Sequence, residues 1–92
     1  MIYGWDEAKR RANLDKHGVD FAKAEGFDWE TALVIEDRRQ DYGEPRFSAL
    51  GYIGKRLHVL IFTPRGRDVR LIGLRKANVR EVRQYEQESA QA

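Results

Sequence analysis

At 92 residues, 41% hydrophobic and 35% charged with a net charge of +2, the chain has the make-up of one domain with a modest core, because so short a chain buries only about 60–65% of its extended surface. Zero cysteines exclude a disulfide scaffold and any thiolate metal site, and fit a reducing cytoplasm. The longest apolar run, Val59 to Phe62, is far too short to span a bilayer and Met1 to Asp6 is no signal peptide, so a cytoplasmic protein with no membrane partner is expected.

Met1 to Tyr3 offers at most a short edge strand. Asp6 is a good N-cap and Gly18 a good residue to follow a helix end, so residues 7 to 17 read as one helix of about three turns. Val19-Asp20 repeats the pattern: Asp20 is the next N-cap, Val19 is placed to pack back on Ala24, and Phe21, Ala24 and Phe27 line a short second helix. After a connection at Trp29 to Thr31, residues 32 to 36 form the first clear strand and Asp37 to Pro45 a polar loop. From Arg46 the period becomes two, with Phe47, Ala49, Gly51 and Ile53 on one face and Ser48, Leu50 and Tyr52 on the other. Gly54-Lys55 is a hairpin turn, Leu57 to Thr63 a central strand apolar on both faces, and Pro64 to Asp68 a second turn. The last strand, Val69 to Arg75, sets Val69, Leu71 and Gly73 opposite Arg70, Ile72 and Leu74. Asn78 and Glu81 are the two ends of a capping box, and Val79, Val82 and Tyr85 give the closing helix a narrow apolar edge, with fraying expected over Ser89 to Ala92. The sum is an α+β domain with N-terminal helices, an antiparallel sheet of about four strands and a C-terminal helix, the helices lying on one face.

On the first helix Lys9, Asn13, Lys16 and His17 fall at i, i+4, i+7 and i+8, a single face. That spacing commonly carries an apolar stripe; here it carries cationic and hydrogen-bonding groups, either a solvated face or a binding one. Charge is also polarised along the chain. Residues 1 to 45 hold seven Lys/Arg against eleven Asp/Glu, and residues 46 to 92 hold ten against four. Twelve of the seventeen basic residues are Arg, whose planar fork suits phosphate. Such a half fits a polyanion such as RNA or DNA, an acidic protein, or solubility alone.

His17 and His58 stand alone, with no carboxylate pair at ligand spacing, so no metal and no cofactor is expected. Neither a Gly-rich phosphate loop nor a nucleophile elbow appears. What remains is chemistry that needs no cofactor. RNA carries its own nucleophile, the 2′-OH beside each phosphate. A protein need only accept that proton, stabilise the phosphorane and protonate the leaving 5′-oxygen. The candidate catalytic residues are Arg75, Lys76, Arg65, Glu44, Arg46 and His17, with Tyr85 in reserve. Lys9, Asn13, Lys16, Arg67, Arg70 and Tyr42 are candidates to bind RNA, Tyr42 and Tyr52 offering stacking surface. Each has a plainer reading. His17 is a cation at a helix C-terminus, His58 a residue of the sheet, Glu44 and Arg46 a loop pair, Arg65 and Arg67 solvated turn residues, and Tyr85 core. Arg75 ends a strand just before a helix N-terminus, where donors converge well on phosphate.

Several words along the chain carry a likeness. At the front are Trp5-Asp6, Lys9, Asn13, Lys16-His17-Gly18-Val19 and Phe21; in the middle Asp41-Tyr42-Gly43-Glu44, Arg46, Gly51 and Arg56-Leu57-His58-Val59. At the back are Thr63-Pro64-Arg65-Gly66, Arg70, Arg75-Lys76-Ala77, Glu81 and Tyr85. On these, over roughly Trp5 to Tyr85, the chain resembles the BrnT-like toxins of bacterial type II toxin–antitoxin pairs. The resemblance implies one domain over residues 1–92, similar in fold to RelE, that acts on RNA as a ribonuclease and is held inactive by an antitoxin of the ribbon-helix-helix type. One departure is visible: the family often has Ser where Gly73 stands and frequently Ala where Leu74 stands, so a substrate contact from that Ser would be missing. The competing expectation is a module of the same fold that grips RNA or a protein without cutting, including inhibition of another enzyme by contact, as ParE-like toxins act on gyrase.

Overall fold

The computed structural model describes residues 1–90. Its elements are β1 (Tyr3–Trp5), α1 (Glu7–His17), a 3₁₀ helix (Phe21–Gly26), β2 (Leu33–Glu36), β3 (Phe47–Ile53), β4 (Arg56–Arg65), β5 (Asp68–Lys76) and α2 (Val79–Ala90). Caps set the helix limits. Asp6 accepts from the N–H groups of Ala8 and Lys9, and Gly18, at φ 71°, closes α1 with an N–H to the Leu14 carbonyl. Asp20 caps the second segment as expected, but that segment winds as 3₁₀. Six residues is long for 3₁₀ winding, which is uncommon beyond about three or four. Helix α2 begins at the expected box, Asn78 and Glu81 each accepting from the other's N–H, and it stays helical to Ala90; the rest of the expected fraying lies outside the described residues.

Two features of the sheet differ from expectation. It has five strands in the order β1-β5-β4-β3-β2, and it is mixed, since β1 runs parallel to β5 while the other neighbours are antiparallel. The short edge strand expected over Met1 to Tyr3 lies instead at Tyr3–Trp5, and its parallel pairing with β5 is set by its partner, since three residues show no period of their own. The helices also lie on both faces. Phe21, Ala24 and Phe27 pack on Ala49, Leu60, Phe62, Leu71 and Leu74, while Tyr85 and Val82 pack on Leu50, Leu57 and Val59 on the reverse side. Strand β4 explains this: apolar on both sides, it needs cover on both. Ala77 makes the turn by donating its N–H to the Leu57 carbonyl, and the Tyr85 hydroxyl reaches over β2 to the Thr31 carbonyl at 3.0 Å.

The alternation on β5 breaks as well. Gly73 pairs with Ile61 but Leu71 pairs with Phe62, so Ile72 is an extra residue, a β-bulge. The bulge flips everything after it. Leu74 joins Val69 and Leu71 in the buried layer, and Gly73 and Arg75 move to the α2 face. On β3 the expected alternation holds, and Gly51 is required where it stands, because a Cβ there would come within 2.6 Å of the Phe27 ring.

Candidate functional site

Strand β1 covers the outer edge of β5 only from Val69 to Leu71. Beyond it the edge of β5 is finished by a side chain. The Asn13 amide donates to the Leu74 carbonyl at 2.7 Å and accepts from the Leu74 N–H at 3.1 Å, as a residue of a sixth strand would. Its nitrogen also donates to the Val19 carbonyl at 3.0 Å. Asn13 thus holds α1 against the bulge, and Lys9, Lys16 and His17 line a shallow cleft there with Ile72. The face expected of α1 exists, but its central amide is engaged with backbone. His17 makes no side-chain hydrogen bond among the described residues; Gly18 supplies the cap.

On the α2 face a larger cleft of about 380 Å³ opens between α2 and the chain leaving β2. Ser48, Leu50, Val59 and Ile61 form its floor, Arg75, Glu81 and Gln84 one wall, and Glu36 to Arg39 the other. Its charges are paired across short distances: Arg75 with Glu81 at 2.8 Å, Arg39 with Asp37 at 2.8 Å, and Arg38 with Glu36 at 2.9 Å. Hydrogen bonds from Arg39, and then from the Tyr42 hydroxyl, hold the Asp37 carboxyl far below the usual carboxylate range. The Arg75 hydrogen bonds likewise lower Glu81, and Glu81 raises Arg75. Arg75 and Arg70 project from this one face of β5, with Gly73 between them.

The loop before β3 makes a third surface. The Arg46 guanidinium stacks on the Tyr42 ring at 3.8 Å, and its buried Nε lacks a partner. Glu44 makes a long pair with Arg65 at 3.4 Å, and Arg67 in the next turn makes no ion pair among the described residues. So Tyr42, Glu44, Arg46 and Arg65 come together as a group, apart from Lys9, Lys16 and His17. Arg75 and Lys76, adjacent in sequence, face opposite ways: Lys76 pairs in register with His58 on the side that carries the 3₁₀ helix. Tyr52 and Tyr85 meet edge to face at 5.4 Å inside the α2 interface, which makes both of them packing residues. Sequence reasoning gave Glu81 only a capping role. A carboxylate six residues beyond Arg75, across a strand-to-helix turn, was the available signal of their pairing.

The family described as "Ribonuclease toxin, BrnT, of type II toxin-antitoxin system" matches residues 5–81. The chain belongs to the BrnT family. No curated relative matches it. The family match runs from β1 through the first turn of α2, so it takes in Asn13, the bulge, Arg75 and Glu81. In this BrnT chain, no group of three His, Asp or Glu among the described residues could hold a metal ion, and no described helix is long and apolar enough to cross a membrane.

Proposed function

We propose that this BrnT toxin cuts RNA without a metal, by attack of a 2′-OH on the neighbouring phosphorus, and that a ribbon-helix-helix antitoxin neutralises it in the cytoplasm. The observation that carries this reading is Arg75: its side chain, 31% exposed, is held at the wall of the α2-face cleft. An Arg so fixed stabilises charge that develops on a phosphorane without reorganising at the moment of reaction. The 2′-oxygen bonds to phosphorus as the 2′ proton passes to a base, and the P–O5′ bond breaks as O5′ gains a proton. Glu44, on the loop surface, and His17, in the α1 cleft, are the candidate proton carriers, each outside the cleft that Arg75 lines. Arg46 and Arg65 add positive charge beside Glu44 and Lys76 adds it on the other side of the sheet, while Arg70, Arg67, Lys9, Lys16 and Tyr42 extend the RNA surface. Asn13 supports Lys9 and Lys16 by fixing α1.

The direct test is cleavage of an RNA oligonucleotide with a chelator present. Wild-type protein is expected to cut undiminished, and folded Arg75→Ala to lose about 10²–10³ in rate, the scale of a lost oxyanion donor. Wild-type cleavage by folded Arg75→Ala would exclude the assignment. One observation favours the second reading, a module that binds RNA or a protein without cutting: every carboxylate in the cleft is paired with an Arg, leaving no free base beside Arg75. That reading expects RNA binding with no cleavage under any condition.

A further inference from the structure

Glu81 is tied into the chain on both sides. Its Oε1 accepts the Asn78 N–H at 2.9 Å, and its own N–H donates to Asn78 Oδ1 at 2.8 Å, which fixes the carboxylate at the start of α2. Arg75 Nη1 donates to Glu81 Oε1 and Arg75 Nη2 to Glu81 Oε2, each at 2.8 Å. A guanidinium has two edges that present parallel donors: the end-on edge, with one N–H from each Nη, and the side-on edge, with Nε–H and the outer Nη2–H. Glu81 occupies the end-on edge. The remaining Nη1–H leans towards the Lys76 carbonyl at 3.3 Å. The side-on edge has no partner among the described residues, although Arg75 lines the cleft and is partly exposed.

This arrangement goes beyond charge neutralisation. A free Arg has many rotamers, and each must be given up on binding; one held by a fork from a capped helix has already given them up. The unoccupied edge matches two oxygens of a phosphate, and the fork at the occupied edge stops the guanidinium from turning away. We infer that Glu81 is the positioning residue for Arg75, holding its end-on edge so that the side-on edge is presented to a phosphate of RNA in the cleft; this rests on the ribonuclease reading above.

Glu81→Gln tests it, since Gln still serves a capping box but can accept from only one Nη. Cleavage of an RNA oligonucleotide is measured for wild type, Glu81→Gln, Arg75→Ala and the double variant, with inorganic phosphate titrated against the Arg75 Nε–H resonance in NMR. Glu81→Gln is expected to lower kcat by about tenfold or more through misplacement of Arg75. It should add nothing in the Arg75→Ala background, and should weaken the phosphate response of the Nε–H. Asn78→Ala, which loosens the start of α2 but leaves the fork, should lose less of the phosphate response than Glu81→Gln. Equal losses in the wild-type and Arg75→Ala backgrounds, or an unchanged phosphate response in Glu81→Gln, would overturn the inference. Should wild type cut no RNA, the ribonuclease reading fails by itself, and the phosphate titration still decides what Glu81 does.

Discussion

His58 shows what a single buried side chain costs when its surroundings favour one charge state. It is only 5% exposed, and its Nδ1 lies 2.8 Å from the Arg56 carbonyl, which can only accept, so the proton sits on Nδ1. Burial pushes its pKa below the ordinary value, and the nearby cations Arg56, Lys76 and Lys23 push the same way. The sign follows. In the unfolded chain the ring takes up a proton near its usual pKa of about 6.5, while in the fold it resists until lower pH. Stability should therefore hold above about pH 6.5 and fall as pH drops towards the folded value. The urea midpoint between about pH 7.5 and 5.5, either side of that unfolded value, checks this; His58→Gln is expected to flatten that limb, and a slope unchanged in the variant would remove His58 as its source. The same scale shows how much of the site was legible. Residue type revealed the basic, Arg-rich set and the lack of ligand clusters, because those are properties of composition and spacing. It could not reveal that β5 runs on through Lys76, which turns Lys76 away from Arg75, that the Asn13 amide bonds to backbone, or that Glu81 grips Arg75, because each depends on where a strand ends, on a pairing or on a turn.

At the scale of elements, β5 carries the argument. The α1 limits, the Gly54-Lys55 turn, the β3 alternation and the capping box were legible, since caps and turn residues act locally; the second turn is tighter than the expected Pro64 to Asp68, because Pro64 and Arg65 pair in β4 with Val69 and Asp68 of β5. The bulge was not legible: one extra residue leaves the composition of the strand unchanged and reverses only its second half. Nor was the face chosen by α2, although the doubly apolar β4 held the reason. The bulge and Asn13 belong together, because past Leu71 the outer edge of β5 has no strand to pair with and the Asn13 amide takes the place of a peptide group. Asn13→Ala is expected to cost about 1–3 kcal/mol, the penalty for leaving half-buried backbone groups unpaired. Asn13→Asp should cost more, since a carboxylate oxygen would then face the Leu74 and Val19 carbonyls in place of a donor. Urea unfolding of the three proteins gives the order; an Asp variant as stable as wild type would show that the donor is dispensable.

Across the whole molecule, ion pairing leaves part of the positive charge free. In the first half Arg10, Arg38 and Arg39 are held in ion pairs, while Lys9, Arg11, Lys16 and Lys23 make none among the described residues. In the second half Arg67, in the β4–β5 turn, and Arg70, on β5, make no ion pair among the described residues, and Arg65 holds Glu44 only at 3.4 Å. A patch of unpaired positive charge thus lies around the β4–β5 turn and along the α2 face of β5 towards Arg75. An antitoxin that presents an Asp/Glu-rich segment would gain both steering and charge pairing there, and it would cover the surface proposed for RNA. Exposed charges are screened over about 10 Å at 0.1 M salt, so steering by them is a salt-dependent rate. Association of the toxin with its antitoxin, followed by stopped flow, should slow by at least about tenfold between low and high salt. Replacing Arg67 and Arg70 by Ala should slow it at low salt and matter little at high salt, where screening has already removed their reach. A rate indifferent to salt would overturn this placement.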